Sequence, residues 1–338
     1  MRDDVRDALI DKKLIVQVNV ANEPLNLTYT IDGAHIPEID RASAYSISCA
    51  VKVGRNHSNN AQSSCLAILP HVPSISMLSG GLMMMQEIMM AVEAAEKEPE
   101  SIVMIDGSKI SAIISINQFY TGIARDLPEQ LKQWRDLGKK DNTREPGNTL
   151  NKFESRDWIS EYVSSPNIVG NLKLVTTNNM IHEYTPELEG RFDDKTLASL
   201  ILQSGEALGP MAMPIPAAPY HIAEGFPHSK NFDKVQSSLY EKGDNLIFHI
   251  YYRPDVGHGV YKIEVNEGFL RKKITDQLFA WWVEEIAAPD LQEPYSYFIA
   301  DRFAKEAVSV ASKALKEITR REINSLSWFF TQPYRTEK

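Results

Sequence analysis

The feature that most restricts what this chain can fold into occurs twice: an apolar, β-favouring run that closes on Asp-Gly. It is found at Thr28-Tyr29-Thr30-Ile31-Asp32-Gly33-Ala34 and again at Ile102-Val103-Met104-Ile105-Asp106-Gly107-Ser108. Each reads as a buried strand whose last residue is a carboxylate, with the glycine turning the chain. Between them, after Ser79-Gly80-Gly81, residues Leu82–Ala95 are rich in Met, Ala and Glu and free of proline, which predicts a helix. Two further strands, 42–51 and 64–69, precede that helix. A polar turn at 54–60 separates them, and Pro70 stops the second. Three strands with short connections make an antiparallel meander. The order strand–strand–strand–helix–strand then packs the helix on the sheet and sets the first and last strands, with their acids, side by side.

The rest of the chain reads less sharply. Leu14-Ile15-Val16 can start a strand, and Ser111–Phe119 is a further strand or a short helix. The charged stretch 124–160, with Pro146-Gly147-Asn148, predicts a helical hairpin or loop insertion within 124–170. Trp134 and Trp158 argue against disorder there. Asn171–Thr176 is a short strand, and Thr196–Leu202 an amphipathic helix led by Asp193 and Asp194. Pro210, Pro214, Pro216 and Pro219 make 209–220 a rigid connector. Asn245–Arg253 and Gly259–Val265 form an antiparallel pair. Gly268–Ile286, carrying Trp281-Trp282, is a long helix, and Tyr297–Leu326 is the longest helical run. The expected fold class is α/β: one domain over 1–338, a mixed sheet flanked by helices, with the insertion and a long C-terminal helix.

The chemistry lies in the acids. Asp32, Glu87 and Asp106 form a candidate set, because Glu87 shares its helix face with Met83, Met84, Met90 and Ala91. Clustered carboxylates repel and lose hydration, and a hard divalent cation such as Mg²⁺ or Mn²⁺ compensates them. A pair of such ions stabilises both the attacking and the leaving oxygens of phosphodiester cleavage. Taken singly, an Asp-Gly after a strand is equally a turn, and a helix glutamate equally a solvated residue. Of the 338 residues 43% are hydrophobic, and the net charge is −9, which excludes a generic polyanion binder. Lys109, Arg41 and Arg55 are possible phosphate contacts, or surface charges. Cys49 and Cys65 lie in apolar runs and read as buried free thiols, which suits a reducing cytoplasm. The N-terminus has no apolar signal core, and Gln86 and Glu87 interrupt the most apolar stretch, so no membrane span is expected. There is no Gly-rich phosphate loop. His182, His249 and His258 lack zinc spacing, and Ser108 and Ser204 lack a paired histidine for acyl chemistry.

In order and spacing these motifs resemble the NurA family of nucleases. The resembling residues are Ile31-Asp32-Gly33-Ala34, Gln86-Glu87 and Met104-Ile105-Asp106-Gly107-Ser108. To these are added Tyr252-Arg253, Lys262-Ile263-Glu264, and Glu293-Pro294 followed by Ala300-Asp301. The resemblance runs over most of the chain, most weakly through 124–170. It implies an RNase H-like core, a homodimer, Mn²⁺-dependent (or Mg²⁺-dependent) DNA cleavage and a HerA-type hexameric DNA-translocating ATPase as partner. Asp32, Glu87 and Asp106 would be the metal ligands, and DNA repair or anti-phage defence the setting. Two positions depart from the family, which typically has Tyr-Pro and Ala-His where this chain has Glu293-Pro294 and Ala300-Asp301. Asp301 is then either a carboxylate replacing an imidazole in the catalytic set or the helix N-cap. Glu293 cannot repeat a tyrosine's stacking or phenolic hydrogen bond. The competing expectation is a weakened or inactive member that serves as a structural or regulatory partner of the ATPase ring. A third is an RNA-directed nuclease, since fold does not fix the sugar.

Overall fold

Among the described residues of the computed structural model nine strands form: β1 (Ile15–Gln17), β2 (Thr28–Ile39), β3 (Ala44–Gly54), β4 (Ala61–Leu69), β5 (Ile102–Asp106), β6 (Ile168–Leu172), β7 (Glu206–Ala212), β8 (Ile247–Arg253) and β9 (Tyr261–Asn266). The structure describes residues 2–19, 24–25, 28–39, 44–54, 60–69, 72–140, 145–172, 179–186, 190–212, 222–223, 225–230, 246–255, 259–286 and 293–324. The strands make one mixed sheet in the order β1-β7-β8-β9-β6-β5-β2-β3-β4. β5 runs parallel to both β2 and β6, and the other neighbours are antiparallel. The predicted meander is therefore β2-β3-β4, and the two Asp-bearing strands lie next to each other.

Helices cover both faces. In chain order they are α1 (Arg2–Asp11), α2 (Ile75–Lys97), α3 (Lys109–Asp126), α4 (Pro128–Lys140), α5 (Gly147–Glu154), α6 (Trp158–Ser164), α7 (Asn179–Tyr184), α8 (Asp194–Ile201), α9 (Glu267–Arg271), α10 (Thr275–Glu285) and α11 (Tyr295–Asn324). The alternation of β2 sorts the layers. Tyr29 and Ile31, with Val103 and Ile105 of β5, pack against Leu78, Leu82, Met85 and Ile88 of α2. Trp134, Leu150, Phe153 and Trp158 of the insertion helices join the same cluster. On the opposite face Ala34 meets Ile299, Ala300 and Ala304 of α11. Thr30 Oγ1 donates to Ser296 Oγ at 2.9 Å on that face. Ile102, Met104 and Ile263 pack there against Trp281 and Trp282 of α10. Each fully buried aliphatic side chain contributes about 1.5–3 kcal/mol.

α2 is the one described helix with the length and apolarity of a membrane span, but it is mostly buried in this core. It starts seven residues before the sequence-based boundary, running straight through Gly80-Gly81. The glycines are there for packing: a Cβ on Gly81 would stand 2.9 Å from Phe119 Cγ of α3. Gly81→Ala should therefore destabilise the protein by about 2 kcal/mol through overpacking, against a helix-propensity gain of about 1 kcal/mol. Urea unfolding at fixed pH measures this; a stability gain would show that α3 retreats freely.

Other boundaries differ from the sequence reading for identifiable reasons. Ser111–Phe119 belongs to the 18-residue helix α3, whose N-cap is Ser108. The long helix expected over 268–286 is split into α9 and α10, where Lys273 adopts φ +56. Residues 209–212 of the expected connector are strand: β7 shifts register between Leu208 and Met211, so Pro210 sits where no ladder N–H is needed. Residues 213–221 lie outside the described ones. Cys49 and Cys65 are buried and free, as expected.

Candidate metal centre

The two Asp-Gly pairs are the same letters placed for different reasons. β5 does end at Asp106. Gly107 follows at φ +132, with nothing within 4 Å of where its Cβ would be. Its N–H donates to Asn171 O of β6 at 2.8 Å. Ser108 Oγ then accepts from the N–H groups of Ile110 and Ser111 at 3.0 and 3.4 Å, starting α3. Asp32, by contrast, does not end its strand. β2 continues for 12 residues to Ile39, so Asp32-Gly33 is strand interior and not a turn. Gly33 is needed for space: a Cβ there would fall 2.7 Å from Met83 Cγ, 3.1 Å from Cys49 O, and well inside contact with Glu87 Oε1. The carboxylate of Glu87 occupies the volume that a side chain at position 33 would take.

The parallel register pairs Ile31 with Ile105, so Asp32 and Asp106 follow side by side on adjacent strands, about 4.8 Å apart along the hydrogen-bonding direction. Both share the α11 face with Thr30 and Met104. Glu87 approaches from the α2 face and meets them across the bare backbone of Gly33. Asp32 is 7% and Glu87 6% exposed, and Asp106 is half-buried. Asp32 Oδ1 accepts from Gly33 N–H at 2.8 Å. Burial, and then the charges of Asp32 and Asp106, push the Glu87 carboxyl well above the ordinary carboxylate range. The predicted trio is thus electrostatically one cluster. Among the described residues, no three His, Cys, Asp or Glu side chains are arranged to enclose an ion. The chemistry of the set still fits a hard divalent cation: the donors are all oxygen, and the burial and mutual repulsion that raise the Glu87 carboxyl are what a bound cation relieves.

Three residues to which the sequence assigned no role at the site complete the surroundings. The Tyr297 hydroxyl, on the first turn of α11, donates to Ile105 O at 3.4 Å. Burial and the neighbouring Asp106 and Asp32 keep its phenol protonated. Tyr162 of α6 is held protonated by burial and then by Glu87 and Glu264. Glu264 of β9 is fully buried, and its carboxylate accepts from Lys109 N–H at 2.8 Å. Tyr-Lys-Ile-Glu-Val alternates like a half-exposed strand, but β9 is buried on both faces, so no periodicity could have marked Glu264.

Of the remaining sequence candidates, Lys109 and Asp301 have other partners in the structure. The Lys109 side chain is turned into the protein. It is fully buried, and its Nζ donates to Val163 O and Ser165 O at 3.2 and 3.0 Å. Asp301 is not the helix N-cap. α11 begins six residues earlier at Tyr295, and Asp301 Oδ2 pairs with Lys305 Nζ at 2.8 Å. It is not among the charges acting on Glu87. Arg41 and Arg55 lie outside the described residues.

Burial brings Lys109 down to about 7, against a partial opposing effect of Glu264. Between that value and the ordinary 10.5 the unfolded chain binds the extra proton, so stability rises with pH across this window. Urea unfolding between pH 7 and 9 should show this gain in the wild type and lose it in Lys109→Met; parallel curves would contradict it.

No protein-family model matches the sequence, and no curated protein does. Solved structures do. The NurA nuclease from Sulfolobus solfataricus is similar with a TM-score of 0.55 and 15% identity, over 94% of this chain and 90% of that one. NurA with manganese gives 0.54 and 13%, over 96% and 95%. NurA bound to dAMP and manganese gives 0.51 and 12%, over 88% and 89%. At such identities the likeness is one of architecture, and with the mixed sheet, the flanking helices and the long α11 it establishes that this chain has a NurA-like fold.

Proposed function

We propose that the protein is a divalent-metal-dependent nuclease that cleaves DNA, with Asp32, Asp106 and Glu87 as its metal-binding carboxylates. One observation carries the reading. On a NurA-like fold, neighbouring strands place Asp32, which is buried, and Asp106, which is half-buried, side by side, and the buried Glu87 faces them across a strand bared by Gly33. Asp32 and Asp106 would hold Mn²⁺ or Mg²⁺. When bound, such an ion polarises the phosphoryl group and acidifies a water. Glu87, buried beside the two aspartates, would supply further carboxylate oxygens to such an ion. Tyr297 closes the α11 side of the cluster against water while keeping its own proton. The manganese and dAMP named for similar NurA structures accord with this ligand class.

The partners follow the same reading. A chain of net charge −9 gains from a HerA-type ATPase ring that delivers DNA, because the ring supplies effective concentration. Repair or anti-phage defence would be the setting. Phe303, Val310 and Ile318 are exposed along α11, and Leu66 and Ile68 are exposed on the edge strand β4. That apolar surface supports a homodimer. The pairing of Asp301 with Lys305 favours a second reading, a weakened subunit that regulates the ring. Incubation of linear and circular DNA, and of RNA, with Mn²⁺, Mg²⁺ or chelator, with and without the ATPase, tests both. Mn²⁺-dependent loss of DNA is the expected result. No cleavage in any mixture overturns the nuclease and leaves the regulatory subunit.

A further inference from the structure

We infer that Glu264 is a positioning residue for Asp106: it crosses a neighbouring strand to clamp the turn that carries this carboxylate. The inference rests on the metal site proposed above. Glu264 belongs to β9, and β6 lies between β9 and β5. The crossing is made at Gly170, which is in register with Glu264 on one side and Ile105 on the other. A Cβ on Gly170 would stand 2.7 Å from Gly107 O and 3.2 Å from Glu264 Oε2. The missing side chain is the passage through which the carboxylate reaches the turn.

At the far end each oxygen has a purpose. Oε2 accepts from Lys109 N–H at 2.8 Å, one of the amides at the start of α3 left without a helical partner. Oε1 accepts from Ser108 Oγ at 3.2 Å, which directs that hydroxyl's proton away and leaves its lone pairs for Ile110 and Ser111 N–H. His249, cross-strand from Glu264, places Nε2 3.8 Å from Oε1. On the other flank Asn171 O holds Gly107 N–H. Residues 107–109 are thus fixed from both sides immediately after Asp106. A serine cap alone would start the helix. Burying a charge costs far more than a cap returns, so the carboxylate is explained by the precision it gives the turn.

Three variants test this: Glu264→Gln, which keeps shape and one acceptor; Glu264→Ala; and Glu206→Gln as a control. Glu206 pairs with Arg6 at the other end of the sheet, away from the acids. Amide hydrogen exchange of the metal-free proteins is the first readout. Both Glu264 variants should accelerate exchange selectively at residues 107–111, the control not at all. Mn²⁺ titration followed by electron paramagnetic resonance is the second. The Glu264 variants should weaken binding about 10-fold or more, with Glu264→Gln between wild type and Glu264→Ala. In cleavage assays the loss should fall on the Mn²⁺ requirement and leave KM for DNA unchanged. Folded Glu264 variants with wild-type exchange in the turn overturn the clamp, whatever the metal does. A wild type that binds no Mn²⁺ defeats the metal-site reading instead, and with it the role assigned toward Asp106. If Glu206→Gln weakens Mn²⁺ equally, the effect is general softening and the inference fails.

Discussion

Asp106→Asn, and likewise Asp32→Asn, is expected to abolish Mn²⁺-dependent DNA cleavage while raising the melting temperature of the metal-free protein. The loss should be about 10³-fold or more, since a catalytic metal is worth several kcal/mol of transition-state stabilisation. The opposite sign for stability follows from the electrostatics. Asp32 and Asp106 lie side by side, and both push up the carboxyl of Glu87. Neutralising one aspartate removes repulsion in a setting with little water to screen it. Roughly 1 kcal/mol is expected, about 2 °C in a chain of this size. Melting in chelator and again in Mn²⁺ measures both halves, with the metal stabilising the wild type and not the variants. A fall in metal-free melting temperature would mean that the acids serve the fold.

Gly33→Ala should damage the fold and the acid cluster together. The added Cβ would meet Glu87 Oε1, Met83 Cγ and the Cys49 carbonyl at once. Glu87 is buried, and the Cys49 contact is backbone, so overpacking of about 3 kcal/mol is expected. Glu87 should be displaced from Asp32, and cleavage should fall with it. Gly107→Ala is the contrast. Space there is open, and the cost is that of a non-glycine residue at φ +132, about 1–3 kcal/mol. Denaturation together with Mn²⁺ affinity separates the two: the first change disturbs the carboxylates by contact, the second through the backbone. Equal, small effects on both would contradict the packing read from Gly33.

The parts legible from sequence were those where local pattern and tertiary placement agree. Asp32 and Asp106 could be paired because strand order alone makes β2 and β5 neighbours. The meander, α2 and the hairpin β8-β9 followed from period and punctuation. Gly33 misled because a glycine after Asp reads as a turn, whereas here it clears room for a side chain 54 residues away in sequence. Lys109 misled because a lysine after a helix cap reads as exposed, and only the packing of α6 shows that carbonyls receive its amine. Glu264 entered only as part of the resembling hairpin and Tyr297 only as the start of a helix, because their importance comes from what crosses Gly170 and from where α11 lands. Neither leaves a periodic signal.

The most direct measurement is a crystal soaked in Mn²⁺ and read by anomalous scattering. A manganese peak is expected bonded to carboxylate oxygens of both Asp32 and Asp106, at about 2.2 Å, on the face of β2 and β5 that the two aspartates share. A fully loaded crystal with no peak between those two aspartates, or with manganese held elsewhere and these carboxylates unmoved, would contradict it.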